Sequence, residues 1–153
     1  MITKENGAYW IAKLGLRSHG EGGWYREVWT ADLEIPASAL PPEYGGSRSS
    51  CSLIYYLLQA GEVSHWHKLR SPEIWVWHCG GLLEQTLGGG GPAPAAGAVR
   101  LLGPGPEEGA SFQSVIPAGE WQTTRLRAGD FALVSCVVSP AFRPEDFSLL
   151  DVS

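Results

Sequence analysis

The stretch Gly61–Gly80, GEVSHWHKLRSPEIWVWHCG, decides how the chain folds. It carries three of the four histidines and three of the seven tryptophans. His65 and His67 are separated by one residue, which on a β-strand puts both imidazoles on one face. Ser71-Pro72 reads as a turn. Glu73 opens a second apolar strand, Ile74 to His78, closed by Cys79-Gly80-Gly81. Two adjacent strands then bring His65, His67 and Glu73 to one spot. Two imidazoles and a carboxylate suit Zn, Fe, Mn or Ni.

Working outward, Cys51–Gln59 (CSLIYYLLQ) is an almost unbroken apolar run of strand length, which predicts a central strand covered on both faces. Upstream, Trp24–Thr30 alternates, with Trp24, Arg26 and Val28 on one face and Tyr25, Glu27 and Trp29 on the other. Neither face is plainly apolar, so Arg26 and Glu27 are candidates for burial. Residues 8–16 allow one or two helical turns before Gly15, and 36–50 read as a Pro/Gly/Ser-rich loop. Downstream, strands are expected at Leu82–Leu87, Val99–Leu102, Phe112–Ile116, Trp121–Leu126 and Phe131–Val138. GGGGPAPAAG at 88–97 reads as a flexible loop. Ser139–Phe147 is irregular, with room for a helical turn after Pro144. Many short strands with frequent turns and little helix indicate an all-β barrel or jelly roll.

The chain has 153 residues, 44% of them hydrophobic and 18% charged, which predicts one globular domain over 1–153. Its net charge of −5 and the lack of a basic stripe argue against nucleic-acid binding. No apolar run reaches membrane-span length, and MITKENGAYW lacks the apolar core of a signal peptide, so a cytoplasmic location is expected. Cys51, Cys79 and Cys136 show no CxxC spacing and read as reduced thiols in apolar surroundings.

Gly61, His65-x-His67, Glu73 and Gly80 fall in the order of the first conserved motif of the cupin superfamily, and the segment resembles it. Pro117-Ala118-Gly119, followed by Glu120-Trp121-Gln122, resembles the second motif, with Gln122 where the fourth metal ligand usually stands. The closer resemblance is to the small single-domain cupins of the DUF985 (cupin_5) subfamily. It rests on Ser18–Glu27, Ser50–Leu58, Ser64–Gly80, Pro117–Gln122 and Ser139–Leu149, nearly the whole chain. Two positions depart from that pattern: Val76 stands where the subfamily usually has His, and His65 where it often has a non-ligand residue. The resemblance implies a jelly-roll barrel (a double-stranded β-helix), a pocket inside it and a homodimer. It implies no reaction.

The metal set read from these residues is His65, His67, Glu73 and Gln122, with Glu73 and His67 also candidates for moving a proton. Arg26 would bind an anionic group in the barrel mouth, Trp75 and Trp77 would wall the pocket, and His19 and Gln122 would bind ligand. Structural alternatives stand beside each. Glu73 can be one half of a strand-to-strand ion pair, the tryptophans can be core, and Glu21-Gly22-Gly23 can be only a tight turn. Three functions follow: a metal-dependent isomerase, epimerase or lyase acting on a small sugar-like or carboxylate substrate; a metal-free barrel for a small ligand; and a structural protein with a vestigial pocket. No organic cofactor motif is present.

Overall fold

The computed structural model describes residues 6–150. The chain opens with α1 (Gly7–Leu14), capped by the Asn6 side chain accepting from Tyr9 N and ended by Gly15 in the left-handed region. Among the described residues eleven strands follow in order: β1 (Arg17–Ser18), β2 (Trp24–Thr30), β3 (Glu34–Ile35), β4 (Arg48–Ser49), β5 (Ser52–Gln59), β6 (Val63–Lys68), β7 (Glu73–Leu87), β8 (Val99–Leu102), β9 (Gln113–Ile116), β10 (Gln122–Val138) and β11 (Ser148–Leu149). All the strand pairs are antiparallel. Short 3₁₀ turns lie at Ala37–Ala39, Pro42–Tyr44, Pro106–Glu108 and Pro144–Asp146. Among the described residues no helix is long and apolar enough to cross a membrane.

Two long strands build the jelly roll. The second half of β10 lies between β5 and the first half of β7, while its first half lies between β6 and the second half of β7. Sequence reading divides each of these strands in two. The structure makes each one continuous, bent strand that passes from one sheet to the other. The bend is at Gly80-Gly81 opposite Ala128–Asp130, where the register shifts. Gly80 has φ 96°, and a Cβ there would stand 2.3 Å from Phe131 O; one on Gly81 would stand 1.9 Å from Ala128 O. The glycines read as a strand end are the hinge that lets one strand serve both sheets.

β5 is covered on both faces, as its composition predicts. Tyr56 and Leu58 face the barrel interior with Trp75, Leu83, Ile116, Val134 and Cys136. Leu57 faces the other way with Leu16, Phe131 and Leu133, under Trp10, Ile11 and Leu14 of the first helix and its exit. The loop 36–50 is anchored through Arg48, 1% exposed, which forms a two-pronged ion pair with buried Asp146 and donates from Nη2 to Tyr44 O at 2.9 Å. Residues 88–97 hold no helix or strand. Their base packs on the barrel, with Trp121 Nε1 and Lys68 Nζ both donating to Gly91 O. The three cysteines are free thiols.

Candidate functional site

β6 carries a departure from period-two alternation. Gln122 pairs with His67 and Thr124 with Ser64, so one residue of β10, Thr123, opposes two of β6, His65 and Trp66. This is a β-bulge, and the extra residue breaks side-chain parity. Ser64 and His67 are therefore both buried, and His65 is exposed. The predicted pairing of two imidazoles on one face is corrected on this point.

His67 is 2% exposed, and both ring nitrogens are engaged. Nδ1 lies 2.8 Å from His65 O. A carbonyl only accepts, so Nδ1 carries hydrogen. Nε2 lies 3.0 Å from Glu21 Oε2. That contact needs a proton, which sits either on Nε2 or on the carboxyl. Burial decides the direction. It raises Glu21 from its ordinary 4.5 to about 7, against the opposing pull of His19, and it lowers His67 against the pull of Glu73. A neutral imidazole accepting from a carboxylic acid is the favoured form near neutrality. The ring of Phe147 stacks on His67 at 5.4 Å between centroids.

Glu21 is delivered by the loop His19–Gly23. His19 N donates to Gly23 O, Glu21 O accepts from His65 N at the bulge, and Gly22 O accepts from the Tyr56 hydroxyl. Gly22 and Gly23 both have positive φ, and a Cβ on Gly22 would stand 2.0 Å from Val63 O. Only glycine lets the loop lie flat on β6, and lying flat pushes the Glu21 side chain inward to 6% exposure. Sequence reading treats Glu21 as part of a tight turn. The signal available was a carboxylate directly ahead of two glycines and two residues after a histidine. His19 Nδ1 accepts from Glu21 N at 3.1 Å, which leaves its hydrogen on Nε2. Burial lowers the His19 pKa.

Glu73 begins β7 and is 7% exposed. Its Oε1 accepts from Trp75 Nε1 at 2.8 Å and from Gln122 Nε2 at 3.0 Å. Burial raises its pKa, with His67 pulling it down and Glu21 pushing it up. Gln122 thus presents its amide nitrogen to Glu73 and serves as its support. Trp75 is core, 1% exposed and edge-on to Tyr56. Trp77 stacks on Phe112 and donates to Gly81 O. Neither tryptophan walls the cleft. Arg26 is also elsewhere. Tyr25 pairs with inward-facing Tyr56, which turns Arg26 to the opposite, exposed face, where Nη1 donates to Leu14 O at 3.1 Å. Arg26 and Glu27 are both exposed, so this strand does not bury them.

His19, Glu21, His67 and Glu73 line one cleft of about 400 Å³, within the usual range for small-molecule sites. Tyr25, Trp29, Phe142 and Phe147 give it aromatic walls, and Glu27 lies at its side. Among the described residues no lysine or arginine lines it. The predicted metal set is not assembled. His65 faces out, Gln122 turns its nitrogen inward, and His67 Nε2 is committed to Glu21. Among the described residues no three His, Cys, Asp or Glu side chains converge as a metal would require. The donor arrangement does not fit a metal ion.

The structure is similar to two proteins over nearly its full length. One is a hypothetical protein from Leishmania major, with 29% identity and a TM-score of 0.84, covering 95% of this chain and 88% of that one. The other is protein SO0799 from Shewanella oneidensis, with 33% identity and a TM-score of 0.80, covering 96% and 85%. Oxalate decarboxylase from Bacillus subtilis shares the fold at 14% identity and a TM-score of 0.57, with 87% of this chain matching 29% of that one. A search of curated proteins finds no match. The model of the family described as Cupin superfamily (DUF985), Cupin_5, matches residues 8–150, and the chain belongs to that family.

Proposed function

We propose that the cleft binds a neutral, polar small molecule and that its buried acids move a proton on it, as an isomerase, epimerase or lyase does. The observation that carries this reading is the Glu21–His67 contact. One proton is held between two buried groups at the floor of a cleft, on a carboxyl poised at about 7. Glu73 faces the same cleft, and its held Oε1 leaves Oε2 outside that pair of hydrogen bonds. Two carboxyls in different surroundings are the arrangement by which one site both gives and takes a proton. His19 Nε2–H supplies a donor for a carbonyl or hydroxyl. Three carboxyls with no cationic side chain in the lining disfavour a carboxylate or phosphate ligand.

The test is a thermal-shift panel of small sugars and hydroxyketones, followed by NMR of the binders in D₂O. The expected result is a shifted Tm with deuterium entering a C–H beside the carbonyl, and Glu21→Gln abolishing the exchange. Binding without exchange would leave a non-catalytic ligand-binding barrel. No shift from any compound would remove the site.

The reading extends to a homodimer. Ile74 and Val115 are paired neighbours on the outer face of the barrel, 39% and 52% exposed. Sedimentation that returns a monomer at micromolar concentration would remove this part.

A further inference from the structure

Behind the layer of His67 and Gln122 lies a second row of polar side chains. Thr124 pairs with Ser64 on one side and with Gln85 on the other. Directly opposed residues of antiparallel strands share a face, with Cβ atoms about 4.5–5.5 Å apart. That face is the barrel interior. Leu83 and Leu87, two residues either side of Gln85, belong to the central core. Ser64, Gln85, Thr124 and Gln122 are each no more than 1% exposed. The hydroxyl of Thr124, both amide atoms of Gln85 and Oε1 of Gln122 have no hydrogen-bond partner.

We infer that this row is a hydrated chamber: an internal site for ordered water, closed off from the cleft by the His67 and Gln122 layer. Unpaired buried polar atoms are rare, and this many side by side call for a common partner. The chemistry of the set selects it. The Thr124 hydroxyl donates and accepts, the Gln85 NH₂ only donates, and two amide oxygens only accept. A cation would leave the NH₂ unpaired, and an anion would leave the amide oxygens unpaired. Water satisfies both kinds, and an internal water characteristically makes two to four such bonds. Ser64 also lies close enough to the Glu21 carboxyl and the Tyr56 hydroxyl to act on both. The chamber therefore gives the Glu21 proton an exchange partner other than bulk solvent. Its existence does not depend on any ligand or reaction in the cleft.

Two measurements on the ligand-free protein test it. The first is NMR detection of cross-relaxation between water and the side-chain NH₂ of Gln85, together with ordered density in a high-resolution crystal structure. The second is the thermal melt of Thr124→Val. A hydrated chamber predicts water cross-peaks at Gln85 and a Thr124→Val Tm lower by about 2–4 °C, because one net hydrogen bond is lost. A dry row predicts the opposite sign, since replacing an unsatisfied hydroxyl by a methyl group relieves a penalty. Missing cross-peaks and density, or a Thr124→Val melt above wild type, overturns the inference. If the variant fails to fold, the wild-type spectrum and density decide alone.

Discussion

The backbone oxygen of His65 accepts a hydrogen bond from Nδ1 of His67 at 2.8 Å. The first histidine of the pair thus serves the second through its main chain, while its own imidazole points to solvent. The two substitutions therefore separate. His65→Ala keeps the carbonyl and should change stability by no more than about 0.5 kcal/mol. His67→Ala strips Glu21 of its partner and Phe147 of its stacked ring, and should cost at least about 1–3 kcal/mol. Urea denaturation of the two variants checks this, and equal losses would contradict the outward placement of His65.

The Glu21 carboxyl makes stability depend on pH. Its pKa is raised on folding from 4.5 to about 7, mainly by burial. Its contribution is complete below 4.5 and is lost as pH rises through about 7. Glu73 is raised in the same direction. His67 runs the other way: its lowered pKa gives a contribution present above 6.5 and lost on acidification. Glu21→Gln isolates the carboxyl, because the amide donates to Nε2 as the neutral acid does. The variant should gain on wild type between pH 5 and pH 8, by up to about 3 kcal/mol. Melts in both buffers test this, and a difference independent of pH would show Glu21 ionised throughout.

Asp146 holds the guanidinium of Arg48 in an interior that excludes water. Asp146→Asn keeps the shape and removes the counter-charge, which leaves a buried cation unpaired at a cost of about 3–5 kcal/mol. The neighbouring Phe147 is the ring over His67, so ligand affinity should fall with stability. Denaturation of Asp146→Asn beside Asp146→Asn/Arg48→Met separates the two effects. The double variant should recover most of the lost stability.

The alternation of apolar residues made the barrel legible, and the unbroken run at Cys51–Gln59 marked a strand with two covered faces. The order of Gly61, His67, Glu73 and Gly80 marked the neighbourhood of the cleft. What stayed hidden came from irregularities that periodicity cannot register. One extra residue in β6 turned His65 outward. A flat glycine loop turned Glu21 inward from 43 positions upstream of Ser64, the residue it comes to lie against. Arg26 was misplaced for a related reason. Its strand has no plainly apolar face, so only the pairing of Tyr25 with Tyr56 says which side is in. Of the tryptophans read as pocket walls, Trp75 is core and supports Glu73 from behind, and Trp77 is half-buried against Phe112.

Gly80 stands at φ 96° with Phe131 O 2.3 Å from where a Cβ would be, whereas Gly45 stands at φ 69° with nothing within 4 Å. Alanine at either position bears the left-handed penalty of about 1–2 kcal/mol. Only Gly80→Ala adds a collision with backbone that the opposing strand cannot move without losing its own pairing. Gly45→Ala therefore measures the conformational cost alone, and the excess loss in Gly80→Ala measures how tightly β7 and β10 are pressed together where they change sheets. Urea denaturation of both variants gives that excess. If the two losses were equal, the corner would have slack, and one continuous strand could not hold Glu73 and Gln85 in fixed relation across it.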